Sequence, residues 1–153
     1  MSGPESRLAA LGLKLPDVAA PVAAYVPAVR TGNHVYTSGQ LPFADGALVA
    51  TGKVGGEVSP DVAATCARQC ALNALAAVKA ELGDLSSVTR VVKVVAFVAS
   101  VPEFTGQPLV ANGASELLGD VFGDAGQHAR SAVGVAALPL DAPVEVELVV
   151  ETS

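Results

Sequence analysis

Arg130 carries the clearest chemical signal in the chain. It stands in HARSAVGVAALP, where alternation puts Ala132, Gly134 and Ala136 on its own side and Val133 and Val135 on the other. A guanidinium among small residues has room around it and no neighbouring acid in sequence. That setting suits two-point capture of a carboxylate from a small ligand. The structural alternative is an ion pair across a subunit interface. On this reading Val133 and Val135 turn toward the helices. Glu145 and Glu147 share one side of the final segment VEVELVV, opposite its valines. If that strand neighbours the Arg130 strand, one of them can orient a water or move a proton; otherwise they are solvated or interface carboxylates.

Ser38 lies in YTSGQ, where a hydroxyl beside Gly39 can meet a ligand. No nucleophile elbow or triad surrounds it, which speaks against serine hydrolysis. Tyr25, one of two tyrosines, either lines a pocket or packs. Cys66 and Cys70 are four apart in a helical stretch and share a face. They could begin a metal site, but the only imidazoles, His34 and His128, lie in strand segments elsewhere. Two small buried thiols are the simpler reading. The glycines between 52 and 56 match no phosphate-binding loop.

These groups have to be held by a mixed set of elements. Leu8, Leu11 and Leu15 allow a turn or two of helix before Pro16, and Pro21 opens a new extended segment. Residues 25–49 read as strand, with a tight turn at Asp45-Gly46. Ser59-Pro60-Asp61 is a helix start, and a stripe through Leu72, Leu75, Val78 and Leu82 runs to a stop at Gly83. VTRVVKVVAFVASV, residues 88–101, is β-branched and apolar on both alternating sets, as in a strand covered on both faces. A second helix opens at Pro108 and ends at Gly123; strands follow over 128–137 and 144–151. The expectation is an α+β layer, two helices on one face of a mixed sheet. Another copy of the chain is the economical cover for the other face, giving a homo-oligomer with sheets facing inward.

The chain has 153 residues, enough for one domain with a real core. With 51% hydrophobic and 16% charged residues it is not a disordered sequence. Aromatics are 4%, so Ala, Val and Leu must build the interior. A net charge of −6 argues against a nucleic-acid partner. Lys93 interrupts the longest apolar run, which falls short of a membrane span. The N-terminus is a poor signal peptide, so the expected location is cytoplasmic.

The stretch HARSAVGVAALPLDAPVEVELVV resembles the C-terminal signature of the RidA/YjgF family, the reactive intermediate deaminases. VYTSGQLP resembles the family's first-hairpin motif and AAYVPAVRTGNHVY its opening strand. With the helix SPDVAATCARQCALNALAAVKAELG, the likeness covers roughly residues 21–152 and leaves 1–20 as an N-terminal extension to one RidA-like domain, 21–153. FTGQPLVANGASELLGDVFGDAGQHARSAVG is similar to a less characterised branch.

The resemblance implies a chorismate-mutase-like α+β fold, a homotrimer, and ligand sites in clefts between subunits. It implies hydrolysis of enamines and imines of the 2-aminoacrylate type to 2-keto acids and ammonia, without metal or cofactor. Arg130 matches the arginine that binds the substrate carboxylate, and Glu145 the acid that orients the attacking water. Tyr25, Ser38 and Asn112 match pocket residues. Ala132 replaces a common cysteine and Gly134 a larger polar residue, which implies a wider pocket. A non-catalytic trimer that binds small carboxylates or imino acids is the alternative. Endoribonuclease activity, attached to parts of the family, fits an acidic chain poorly.

Overall fold

The computed structural model describes residues 3–18 and 24–153. The expected segment start at Pro21 lies outside them. A short helix α1 (Pro4–Ala10) comes first, then β1 (Ala28–Thr31), β2 (His34–Thr37), β3 (Phe43–Ala44) and β4 (Ala47–Leu48). Helix α2 (Pro60–Leu82), strand β5 (Val88–Ala99), helix α3 (Gln107–Phe122), β6 (Ala129–Val135) and β7 (Val144–Thr152) complete the chain. The main sheet runs β1-β2-β7-β5-β6, with β5 and β6 parallel and the other neighbours antiparallel.

The helix ends follow the sequence. Ser59 Oγ accepts from Val62 N at 3.2 Å, Pro60 takes the first helical position, and Gly83 stops α2 at φ 84°. The inner face of α2 is lined by fully buried Ala63, Ala67, Ala71 and Ala74, side chains small enough to let α3 come close. At the crossing there is no room for a methyl group, since a Cβ on Gly113 would sit 2.0 Å from the Ala64 carbonyl oxygen. Both helices cover one sheet face, over Val91, Val94, Ala96 and Val98 of β5 and Val144, Val146, Leu148 and Val150 of β7.

The structure amends the sequence expectation in three places. The Asp45-Gly46 turn exists, with φ 52° and 83°, but it joins only the two-residue strands β3 and β4. The hairpin of the main sheet turns at Gly32-Asn33 instead. A third helix, α1, belongs to the body of the fold, with Leu8 in the core and Glu5 paired to Lys79 of α2. The second sheet face is open in the single chain. Val29, Tyr36 and Val133 are exposed on it, and Phe97, Val95 and Val149 are partly so. No helix among the described residues is long and apolar enough to cross a membrane.

Candidate functional site

Arg130 is not on the open face. Its register partner is Val94, which points into the helix layer, whereas Val133 pairs with Phe97 on the open side. The sequence assignment of the two sides is therefore reversed. The small residues face α3 because β6 is the sheet edge nearest that helix, and Arg130 needs the gap. From there Nη1 donates to Asn112 Oδ1 at 2.8 Å and to Ser115 Oγ at 3.1 Å, and Nη2 donates to the Pro108 carbonyl at 3.3 Å. Asn112 and Ser115 are three apart on α3 and so share a face; Pro108 opens the same helix.

All three acceptors are neutral. The two ion pairs among the described residues, Lys53–Asp141 and Lys79–Glu5, do not involve Arg130. Its guanidinium is thus in no ion pair among the described residues. A guanidinium has five N–H groups. Three are engaged here, which leaves Nε–H and one Nη2–H for an outside acceptor. Two adjacent donors on a planar, half-buried cation match the two oxygens of a carboxylate.

The other sequence candidates gather elsewhere. Ser38 directly follows β2; its Oγ donates to the Val26 carbonyl at 2.6 Å and its N–H to the Pro27 carbonyl at 2.8 Å. These bonds tie the segment carrying exposed Tyr25 to β2. Glu145 lies over Gly39, where a Cβ would be 2.7 Å from the carboxyl carbon. Burial, and secondarily the neighbouring Glu147, raises the Glu145 pKa above the ordinary carboxylate range. Ser38, Gly39 and Glu145 thus lie together at the β2–β7 end of the sheet, with Tyr25 on the segment bonded to Ser38.

The structure does not bring Glu145 to Arg130. Strand β5 lies between β6 and β7, so the conditional adjacency of the two strands fails. Glu145 pairs with Phe97 on the open face, while Arg130 is on the helix side. One chain therefore holds the two groups apart, a cation on one edge and a carboxylate on the open face.

At the far end of β6, the room left by Gly134 is partly taken. A Cβ there would lie 2.8 Å from Gln107 Nε2, which donates to the Phe104 carbonyl and to Ser100 Oγ. Beyond them is a cavity of about 270 Å³ lined by Ser100, Phe104, Gln107 and Gly134 among others.

Cys66 and Cys70 are fully buried, and Cys70 Sγ donates to the Val144 carbonyl at 3.6 Å. Burial raises both thiols, so they stay protonated and pack as small apolar groups. His34 is on β2 and His128 precedes β6, on opposite sides of the sheet from one another.

The pieces that sequence reading missed are Ser115, His128 as a partner of the arginine system, and the Pro108 carbonyl. His128 is two residues before Arg130 in extended chain, and Ser115 is three after Asn112 in a helix. Those spacings are the available signal.

Comparison with known proteins identifies the fold. Residues 5–152 match the family model described as "YjgF/chorismate mutase-like, putative endoribonuclease". The chain belongs to the YjgF/RidA family. The Trypanosoma cruzi protein TCP17 is 48% identical over 147 residues, 95% of this chain and 92% of that protein. The crystal structure of Agrobacterium tumefaciens Atu1372, a protein of unknown function, is 50% identical with a TM-score of 0.92, covering 98% of this chain and 92% of that one. Escherichia coli TdcF, solved with bound serine, is 25% identical with a TM-score of 0.64, covering 89% and 94%. The YjgF/RidA fold is thus shared along nearly the whole chain, including most of the N-terminal extension.

Proposed function

We propose that this YjgF/RidA protein hydrolyses small 2-imino acids to 2-keto acids and ammonia, in clefts formed between copies of a homotrimer. One observation carries the reading: Arg130 is clamped by neutral acceptors on one edge and leaves two donors and its whole charge for an anion. Family membership supports the reaction class, and serine bound to the TdcF relative supports a ligand bearing a carboxylate beside a nitrogen-substituted carbon.

In this mechanism the two separated groups act as half-sites that neighbouring copies join. Arg130 of one copy holds the carboxylate, which fixes the imine carbon. Tyr25, Ser38 and Glu145 come from the next copy, because one chain cannot join them to Arg130. Glu145 accepts one proton from a water whose oxygen bonds to the imine carbon, while the carbon–nitrogen π pair moves to nitrogen. Glu145 returns that proton to nitrogen, giving a carbinolamine; the hydroxyl proton then passes to nitrogen, the carbonyl forms, and the carbon–nitrogen bond breaks to release ammonia. Positioning does most of the work, since an imine is already electrophilic. The test is ammonia release from freshly generated 2-iminopropionate, expected well above the buffer rate. Saturable binding of 2-ketobutyrate with no acceleration would instead make the protein a carboxylate-binding module.

Glu145 gives this reading a pH signature. Attack requires the ionised carboxylate, so the acid limb of turnover should lie above the ordinary glutamate value of about 4.3. The stability effect has the opposite sign. A carboxyl raised in the fold contributes stability below its unfolded pKa, and that contribution is lost as pH rises through the folded one. Glu145→Gln should therefore abolish turnover yet melt slightly higher than wild type at pH 7, a difference that shrinks at pH 4.

Gly39→Ala should act through the same carboxyl. The new methyl meets the movable end of the Glu145 side chain and no backbone. We expect a melting temperature within about 2 °C of wild type, because surface changes rarely exceed about 0.5 kcal/mol. Turnover should fall at least about tenfold, as displacement of a positioned group by an ångström suffices for that.

A further inference from the structure

The hydrogen bonds behind Arg130 run in one direction and begin at a backbone carbonyl. His128 Nδ1 is 2.6 Å from the Gly126 carbonyl oxygen, which can only accept, so Nδ1 carries the proton. In the neutral ring Nε2 is then an acceptor. Its partner, 2.9 Å away, is Ser115 Oγ, which must donate. With its proton committed to His128, the Ser115 oxygen turns its lone pairs to Arg130 Nη1 at 3.1 Å. Each group leaves the next one choice.

The start of this chain is itself fixed. A Cβ on Gly126 would sit 2.3 Å from the Leu118 carbonyl oxygen, so the Gly126 backbone is seated directly on α3. The same helix supplies Asn112 and Ser115. His128 and Arg130, two apart in extended chain, face it together. The imidazole thus bridges a carbonyl pinned on α3 and a hydroxyl carried by α3, with nothing left over for a metal or a proton relay to solvent.

We infer that His128 and Ser115 are positioning residues that lock the guanidinium plane of Arg130, so that its Nε–Nη2 edge meets the carboxylate of the ligand. This rests on the proposed carboxylate-binding role of Arg130 and assigns two residues to it. Neither touches the ligand. They act by removing the alternatives open to a long side chain, an ordering cost that ligand binding would otherwise carry.

The experiment uses two readouts on the full-length protein. Rotation of the Arg130 guanidinium about its Nε–Cζ bond, measured by side-chain NMR in the ligand-free protein, reports the lock directly. It should be slow in wild type and speed up at least about fivefold in Ser115→Ala and in His128→Ala. His128→Gln, whose amide oxygen can replace Nε2 as acceptor, should restore slow rotation. The Kd for 2-ketobutyrate should rise about five- to tenfold in either alanine variant and no further in the double variant, because the two act as one unit. Unchanged rotation in both alanine variants overturns the inference, and so do additive losses in the double variant. If wild type fails to bind 2-ketobutyrate, the carboxylate role of Arg130 fails, while rotation still decides whether the lock exists.

Discussion

Arg130→Ala should abolish saturable binding of 2-ketobutyrate and reduce deamination of 2-iminopropionate to the buffer rate, without unfolding the protein. The substitution removes two charge-assisted hydrogen bonds to the ligand, each contributing about 1.5–3 kcal/mol. Together these correspond to a loss of at least about 100-fold in affinity. Stability should change little, because Arg130 is half-buried at a sheet edge and in no ion pair among the described residues. Its neutral acceptors, Asn112 Oδ1, Ser115 Oγ and the Pro108 carbonyl, can be met by water in the vacated space. Arg130→Lys should recover little, since one ammonium cannot bond Asn112, Ser115 and both carboxylate oxygens in a plane. Calorimetric titration and the ammonia assay read the loss, and an unchanged far-UV spectrum and melt show that it is local.

Gly113→Ala should produce the largest loss of stability of any single methyl addition. The new Cβ would meet the Ala64 backbone, with the carbonyl oxygen at 2.0 Å and the carbonyl carbon at 2.8 Å. No rotamer relieves a clash with backbone, so α3 must move away from α2. That movement opens the contact around Ala67, Ala71, Ala111 and Ala114, all fully buried. Overpacking of this kind costs about 1–3 kcal/mol or more. For a chain of this size about 3 kcal/mol lowers the melting temperature by roughly 6–12 °C. Ligand affinity should fall too, since α3 carries Asn112 and Ser115. Gly119→Ala is the control: it lies on the same helix with nothing near its Cβ, and it should be neutral or slightly stabilising.

Much of this architecture is legible in the sequence because its signals are local. Ser59, Pro60 and Gly83 bound α2, and the β-branched run of residues 88–99 is the interior strand β5, paired on both sides. Arg130 stood out for the same kind of reason, a long cation among small neighbours. What sequence could not show is which way that strand faces. Val133 and Val135 look like core residues, yet Val133 is on the open side. The small side of β6 instead serves the arginine, Gln107 and the approach of α3. The main hairpin was hidden because Gly32-Asn33 is a weaker turn signal than Asp45-Gly46. The Asn112, Ser115 and His128 contacts depend on how α3 lies along β6, across separations of 13 to 18 residues. No local pattern encodes that register. The same holds for the separation of Glu145 from Arg130, which follows from strand order and from the opposite faces the two residues take.

The most direct test of the central claim is a crystal of the protein soaked with 2-ketobutyrate. The expected result is a carboxylate lying against Nε and Nη2 of Arg130, with Nη1 still on Asn112 and Ser115 and a Glu145 from a neighbouring copy facing the keto carbon. An Arg130 guanidinium closed into an ion pair with a neighbouring copy's acid, with no ligand density and no space beside it, would contradict the account.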